Sequence, residues 1–464
     1  MTIYLKRGDE AFEISDKIYR LTARREESGG ELYDITGLYL FPAFVDTHTH
    51  LIGRFLLDLD VQGRRDKEAI LKKIEEIDRD PIIVYGRDEE LLGEEITPED
   101  LDAFDKRILA IRVDGHVGVV NKKLAEEFSL EKRYLYEDDL YKVLQELKKQ
   151  KPREPAVKKA LEEMKRRGVI HVGEISKDLF TIRVAAELGF PAEFLLEALD
   201  EAEDARGMVK RLKVYADGSL GARTAALRDP YRDDPGNHGK LLLEASEIEE
   251  LALKAEKLGM GLAIHAIGDR AIDEVLDGLK KTNAKRHRIE HFELAREDQV
   301  AEAAKLGVWI SLQPNFVYNR GGLNGLYRKR LGPERLMRIM PLDELLAYRA
   351  RIAFGSDCMP FDPIIGLIGA TRHPFHPISL EDSIRLYTLE AAKLLGIDYK
   401  RPAVVVMNEK HESVLRYYNN KLETSLKRED KKLLGAKHEL SPEEFIRLIA
   451  SKLPELRRFF NPLL

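Results

Sequence analysis

A single cysteine, Cys358, among 464 residues excludes an intrachain disulfide framework and fits a reducing compartment. No apolar run is long enough to span a bilayer. The opening stretch Met1–Arg7 lacks the layout of a secretory signal. Positive charge is not in excess: a net charge of -6 gives no reason to expect nucleic acid or an anionic membrane as partner. These absences predict a soluble, cytoplasmic protein. Glutamine is scarce while Lys, Arg and Glu are abundant, a balance that points to a hot-living source, because ion-pair networks gain value with temperature.

What is present is a globular composition, 44% hydrophobic and 34% charged. The length accommodates one barrel of roughly 250 residues plus insertions. Residues 1–40 alternate apolar and polar in short runs punctuated by glycine, which predicts a small β-element. Residues 51–155 break any simple strand–helix rhythm and read as an inserted subdomain. They hold helices over Asp66–Asp78, Lys122–Phe128 and Tyr141–Gln150 and strands over Pro81–Tyr85 and Ile108–Val113.

From residue 155 the rhythm is regular. Strands are expected at Val169–Gly173, Ala192–Ala198, Leu212–Ala216, Gly261–Ala266, Arg288–His291, Val308–Gln313 and Ile352–Gly355, with helices between them, including one near 201–210. With Phe44–His48 they make eight. Strands alternating with helices imply parallel pairing, and eight such units predict an α/β fold, a closed (β/α)₈ TIM barrel. A doubly wound open sheet is the alternative. Long connections at Asp217–Leu243 and Pro314–Met340 leave the carboxyl ends of strands, where barrel enzymes keep their sites. The main domain is read as 41–398. The remainder, 399–464, reads as a charged, mainly helical tail, with Ala403–Met407 as one strand that joins the N-terminal β-element. Ser441-Pro-Glu-Glu444 starts a helix over 442–459 carrying Phe445, Leu448, Ile449 and Leu453 on one face.

Polar residues cluster at the strand ends. The first strand lies within the stretch Phe41-Pro-Ala-Phe-Val-Asp-Thr-His-Thr-His-Leu51, and residues two apart on a strand point the same way, so His48 and His50 can face one point. The fourth strand carries Lys213 and runs into Asp217-Gly218; the fifth ends in His265, the sixth in His291 and the eighth in Asp357. Any one of these has a bland reading: a histidine merely hydrogen-bonded, an aspartate that caps a helix. Together at one barrel rim they predict a metal site. Lys213, inside a barrel beside cations, is expected to have a lowered pKa and to react with carbon dioxide as the neutral amine, giving a carbamate. A structural lysine paired with Glu174 or another acid is the alternative.

On these residues the chain resembles the amidohydrolase superfamily, within it the branch that includes N-substituted formamide deformylase. The resemblance is carried by Phe41–Leu51, Lys213–Thr224, Pro230-Tyr231, His265–Asp269, Arg288–His291, Gln313-Pro314 and Gly355–Asp357. Asp114-Gly-His116, Asn121, Thr371-Arg372 and Tyr387-Thr388 match as well. It implies that His48, His50 and Asp357 hold one divalent metal and His265 and His291 another. Lys213 as its carbamate would bridge them, and Asp357 would also be the catalytic acid/base. Zinc is the default, as one or two ions.

The implied reaction is hydrolysis of a carbon–nitrogen, amide-like bond in a small molecule by metal-activated water. His116 and Arg223 are the expected substrate contacts. The partner is the small-molecule substrate, and a homo-oligomer is left open. A mononuclear deaminase of an amino-heterocycle and a non-catalytic barrel scaffold are the rival readings. The sequence departs from the family pattern at Ala43, where glycine is usual, in a short insertion, and in an almost absent glycine-rich β-return, which only Val404–Val406 resembles.

Overall fold

The structure, a computed structural model, describes residues 1–113, 115–399 and 402–451. Eight strands form its central sheet: β1 (Phe44–Thr49), β2 (Val169–Ser176), β3 (Ala192–Leu196), β4 (Arg211–Tyr215), β5 (Gly261–Ala266), β6 (Arg288–His291), β7 (Trp309–Leu312) and β8 (Arg351–Phe354). Neighbours pair in chain order and always parallel. These strands are mostly buried apolar runs such as Trp309-Ile-Ser-Leu312, because helices cover the outer face and side chains fill the inside. The sheet closes where β8 meets β1. There the Asp357 N–H donates to the His48 carbonyl at 2.8 Å, and the Asp46 carboxylate accepts the Ser356 N–H at 2.9 Å.

The expected helices form between these strands with one exception. The stretch 201–210 is a series of turns after a short 3₁₀ segment, Leu199–Glu201. Gly207, at φ +80°, stops a helix from propagating there. The long connection 217–243 packs down on the barrel, with Leu220, Ala225, Leu227 and Tyr231 all buried. The connection 314–340 contains helices Pro314–Arg320 and Leu326–Leu336.

The insertion forms its own five-stranded sheet, ordered Tyr134–Tyr136, Val117–Val120, Ile108–Arg112, Ile82–Arg87, Leu59–Asp60. Helix Glu137–Lys149 packs Leu140, Val143, Leu144 and Leu147 on one face of it, against Ile83, Leu109 and Val120. The helix thereby lies above the barrel mouth.

The chain after the barrel differs from expectation. Most of 413–440 is strand, where a charged helical or mobile stretch is expected. Val404–Met407 does pair with Tyr39–Pro42, as expected, and continues into Ser413–Tyr418 and Lys421–Thr424. Glu429–Leu440 then runs antiparallel along Ile18–Asp34, in a sheet with Ile3–Arg7 and Glu10–Ile14. Its Lys and Glu residues, which suggest a solvated helix, are cross-strand partners here: Lys431 with Glu26 at 3.1 Å, Lys17 with Glu439 at 2.8 Å and Lys437 with Glu13 at 2.5 Å. The β-return is therefore present without its glycine-rich sequence. Helix Pro442–Ala450 begins with the expected capping box and sets Phe445 edge-on to Phe12, ring centroids 6.2 Å apart. Leu453 and the rest of the helix expected to 459 lie outside the described residues, as does Asp114. No helix among the described residues is long and apolar enough to cross a membrane.

Candidate metal centre

Every one of the six proposed ligand positions opens on one cavity of about 170 Å³ at the carboxyl ends of the barrel strands. His48 and His50 stand on β1 and just past its end. The Nε2 atoms of both approach Asp357 Oδ1, at 3.5 and 3.4 Å. These three side chains bring their ligand atoms within 4.8 Å of one another. Donors around a tetrahedral ion with bonds of about 2.0–2.1 Å lie about 3.3 Å apart, close to the spacing seen. His265 and His291 face the same space from β5 and β6, ring centroids 4.5 Å apart, and His291 lies 4.9 Å from His48.

Two ligand candidates occupy unusual backbone. His291 has φ +74° and Asp357 φ +52°, left-handed conformations that cost a β-carbon residue about 1–3 kcal/mol and persist where the surroundings hold them. The ring nitrogens are assigned by their partners. His48 Nδ1 lies 2.5 Å from Glu290 Oε2, which leaves Nε2 for the centre; His265 Nε2 lies 2.9 Å from the Gly218 carbonyl, which leaves Nδ1. Glu290 is itself held by Arg288, whose Nη2 also donates to the Thr47 carbonyl at 2.8 Å.

The electrostatics suit cation binding. Burial holds His265 and His291 well below the ordinary histidine range, so both are neutral donors. Burial alone would raise Asp357, but His48, then His50 and Lys213, outweigh it and keep the carboxyl ionised below its usual range. Lys213 is 2% exposed. Burial, opposed by Glu290, Glu197 and Asp357, pushes it down to about 8. Among the described residues its Nζ has no hydrogen-bond partner, and neither has the buried Nδ1 of His291. Glu174, the partner weighed for Lys213, is occupied elsewhere: it accepts from Thr49 Oγ1 at 2.5 Å and from the Leu51 and Ile52 N–H groups at 3.0 and 2.7 Å.

The amidohydrolase family model matches residues 31–401. The chain belongs to the amidohydrolase family. Over 470 aligned residues it is 28% identical to YtcJ of Bacillus subtilis (strain 168), covering 85% of this chain and 88% of that protein. It is 27% identical to N-substituted formamide deformylase of Arthrobacter pascens over 185 residues, 36% of this chain and 34% of the other. The crystal structure of an uncharacterized metal-dependent hydrolase from Pyrococcus furiosus superposes with a TM-score of 0.67 at 25% identity, covering 94% of this chain and 99% of that one. This amidohydrolase is thus a hydrolase of a metal-dependent family. Its residues fit such an ion: three converging donors, two neutral histidines opposite, and buried nitrogens on Lys213 and His291 left without partners.

The two expected substrate contacts part company. His116 lines the cavity, its Nδ1 2.9 Å from Glu137 Oε2. Arg223 does not line it. It forms a two-point pair with Asp233 in its own loop, at 2.9 and 3.2 Å, and so serves to fold that loop. Several buried acids that organise the amidohydrolase site were not singled out from sequence. Asp217 accepts the Ile267, Gly268 and Ala226 N–H groups at 3.0, 2.8 and 2.9 Å and so ties the loops after β4 and β5 together. Glu290 was readable only as the residue before His291.

Proposed function

We propose that the protein hydrolyses a carbon–nitrogen, amide-like bond of a small molecule. The observation that carries this reading is Lys213, a buried amine with no hydrogen-bond partner among the described residues, on the same cavity as the His48–His50–Asp357 group and the His265–His291 pair. His48, His50 and Asp357 would hold one divalent ion, zinc by default, and His265 and His291 a second. The neutral form of Lys213, made more accessible by its lowered pKa, would add to carbon dioxide and lose one proton, giving a carbamate that would help to hold the ions. When bound, such ions polarise the substrate carbonyl and acidify water.

The remaining work falls to the chain. Asp357, held ionised by His48 and His50, accepts the proton of the attacking water and returns it to the leaving nitrogen as the C–N bond breaks. Glu290 and the Gly218 carbonyl keep His48 and His265 in one orientation throughout. His116, at the cavity wall, is placed to touch the substrate.

A one-metal deaminase of an amino-heterocycle is the second reading, favoured by the convergence of only His48, His50 and Asp357 into a tight donor group among the described residues. Metal content of the wild type and of Lys213→Ala, with a panel of amides against amino-heterocycles, tests both. Two ions per chain, loss of at least one in Lys213→Ala and hydrolysis of amides are expected. One ion, unaltered in Lys213→Ala, with release of ammonia from the heterocycles would overturn the first reading in favour of the second.

A further inference from the structure

The cavity wall on the insertion side carries a cation that nothing in the fold accounts for. Among the cavity's cationic side chains, Arg54 is bound to Asp60, to the Cys358 carbonyl and, at 2.7 Å, to Gln62 Oε1. Lys177 is paired with Glu197 and lies 4.6 Å over the ring of Tyr141. Lys148, in the last turn of helix Glu137–Lys149, has no side-chain hydrogen bond or ion pair among the described residues. The charged groups around it are Lys177, Arg153, Glu197 and Asp178. Both of these carboxylates are engaged. Glu197 also accepts from Tyr215 Oη at 2.8 Å, and Asp178 caps the next helix through the Thr181 N–H at 2.7 Å and faces Arg153 at 3.6 Å.

Helix capping does not explain Lys148 either. The carbonyls of Lys148, Lys149 and Lys151 accept from Arg153 Nη1 at 2.5, 3.3 and 2.6 Å, so the negative end of the helix dipole is served. Burial, then repulsion by Lys177, push Lys148 down to about 8. Its place is specific: it lines the metal-facing cavity and also an adjoining cleft that shares His50, Gly53 and Lys177. Its Nζ lies 3.5 Å from where a β-carbon on Gly53 would stand, three residues past His50. Beside it the walls are apolar and aromatic, formed by Leu57, Tyr85, Ile111 and Leu144.

We propose that Lys148 holds an anionic group of the substrate, so that the substrate class is an amide whose apolar body bears a carboxylate. A single unpaired ammonium matches a singly charged carboxylate better than a doubly charged phosphate. The proposal rests on the hydrolytic reading above and adds the substrate class to it. Lys148 is then a specificity residue contributed by the insertion, outside the metal ligands.

The test uses the metal-loaded full chain, as wild type, Lys148→Gln and Lys148→Arg. The compounds are N-acyl amino acids and monoanilides of dicarboxylic acids, each beside its neutral primary-amide counterpart. The readout is kcat/KM, or Kd for compounds that bind without turnover. The wild type should prefer the acids by about 10- to 100-fold, the range of one charge-assisted hydrogen bond. Lys148→Gln should erase that preference and leave the neutral compounds unchanged; Lys148→Arg should restore part of it. Acids that do no better than their neutral counterparts, or fail to bind, overturn the proposal. So does a preference that survives in Lys148→Gln, or an equal loss on both series. Lys148-dependent binding of acids without cleavage in either series would instead refute the hydrolytic reading and leave the anion site standing.

Discussion

Glu290 fixes one nitrogen of His48 at 2.5 Å, and Arg288 beneath it holds the carboxylate charged. A ligating histidine whose other nitrogen is anchored loses less freedom on binding a cation. Glu290→Gln should therefore weaken metal retention by about 10- to 100-fold with the fold intact, measured as metal content after dialysis against graded chelator. Wild-type retention would show that Glu290 serves the fold and not the centre. The six candidate ligand positions can be brought to one rim from sequence because they lie on, or one to three residues beyond, strands whose apolar runs are unmistakable. Glu290, Asp217 and Lys148 could not be read in that way. Glu290 sits inside a four-residue strand whose reading ends on His291, Asp217 works through backbone N–H groups that no side-chain pattern announces, and Lys148 is one of many lysines on a charged amphipathic helix. Arg223 shows the converse: its place after the fourth strand suggests a cavity position, while Asp233, ten residues on in the same loop, holds the guanidinium.

At the scale of elements, the eight barrel strands could be read because burial on both faces demands continuous apolar runs. Glu429–Leu440 could not, because its charge pattern is satisfied across the sheet by Glu26, Lys17 and Glu13, positions hundreds of residues away. That strand covers the long edge of Ile18–Asp34. Deleting residues 428–464 should leave that edge bare, lowering the melting temperature and causing aggregation on heating, while the folded fraction keeps its metal. Calorimetry, light scattering and metal analysis of the truncated chain check this; an unchanged melting temperature would mean that the strand is dispensable.

Across the whole molecule, buried acids give stability a pH dependence. Glu293 is fully buried, with Tyr327 Oη 3.3 Å from Oε1 and nothing on Oε2, and burial raises it to about 8. A carboxyl raised on folding contributes stability that is complete below its unfolded pKa near 4.5 and is lost as pH climbs to the folded value. At about 1.4 kcal/mol per unit, the metal-free protein should lose up to about 4 kcal/mol from this group between pH 5 and pH 8. Glu293→Gln should flatten that part of the slope in thermal melts taken at the two pH values. A slope identical to wild type would mean that Glu293 is already ionised in the fold.

The seam where β8 meets β1 has a consequence for how the protein is made. His48 and Asp357 are joined there by one 2.8 Å backbone bond, although they are separated by most of the barrel. On the ribosome, the first half of the metal-binding group emerges long before the second exists. The N-terminal strand Ile18–Asp34 waits longer still, until Glu429–Leu440 is translated. A chain that stops before Asp357 therefore cannot assemble the His48–His50–Asp357 group, so metal capture through that group would come only after most of the barrel has been translated.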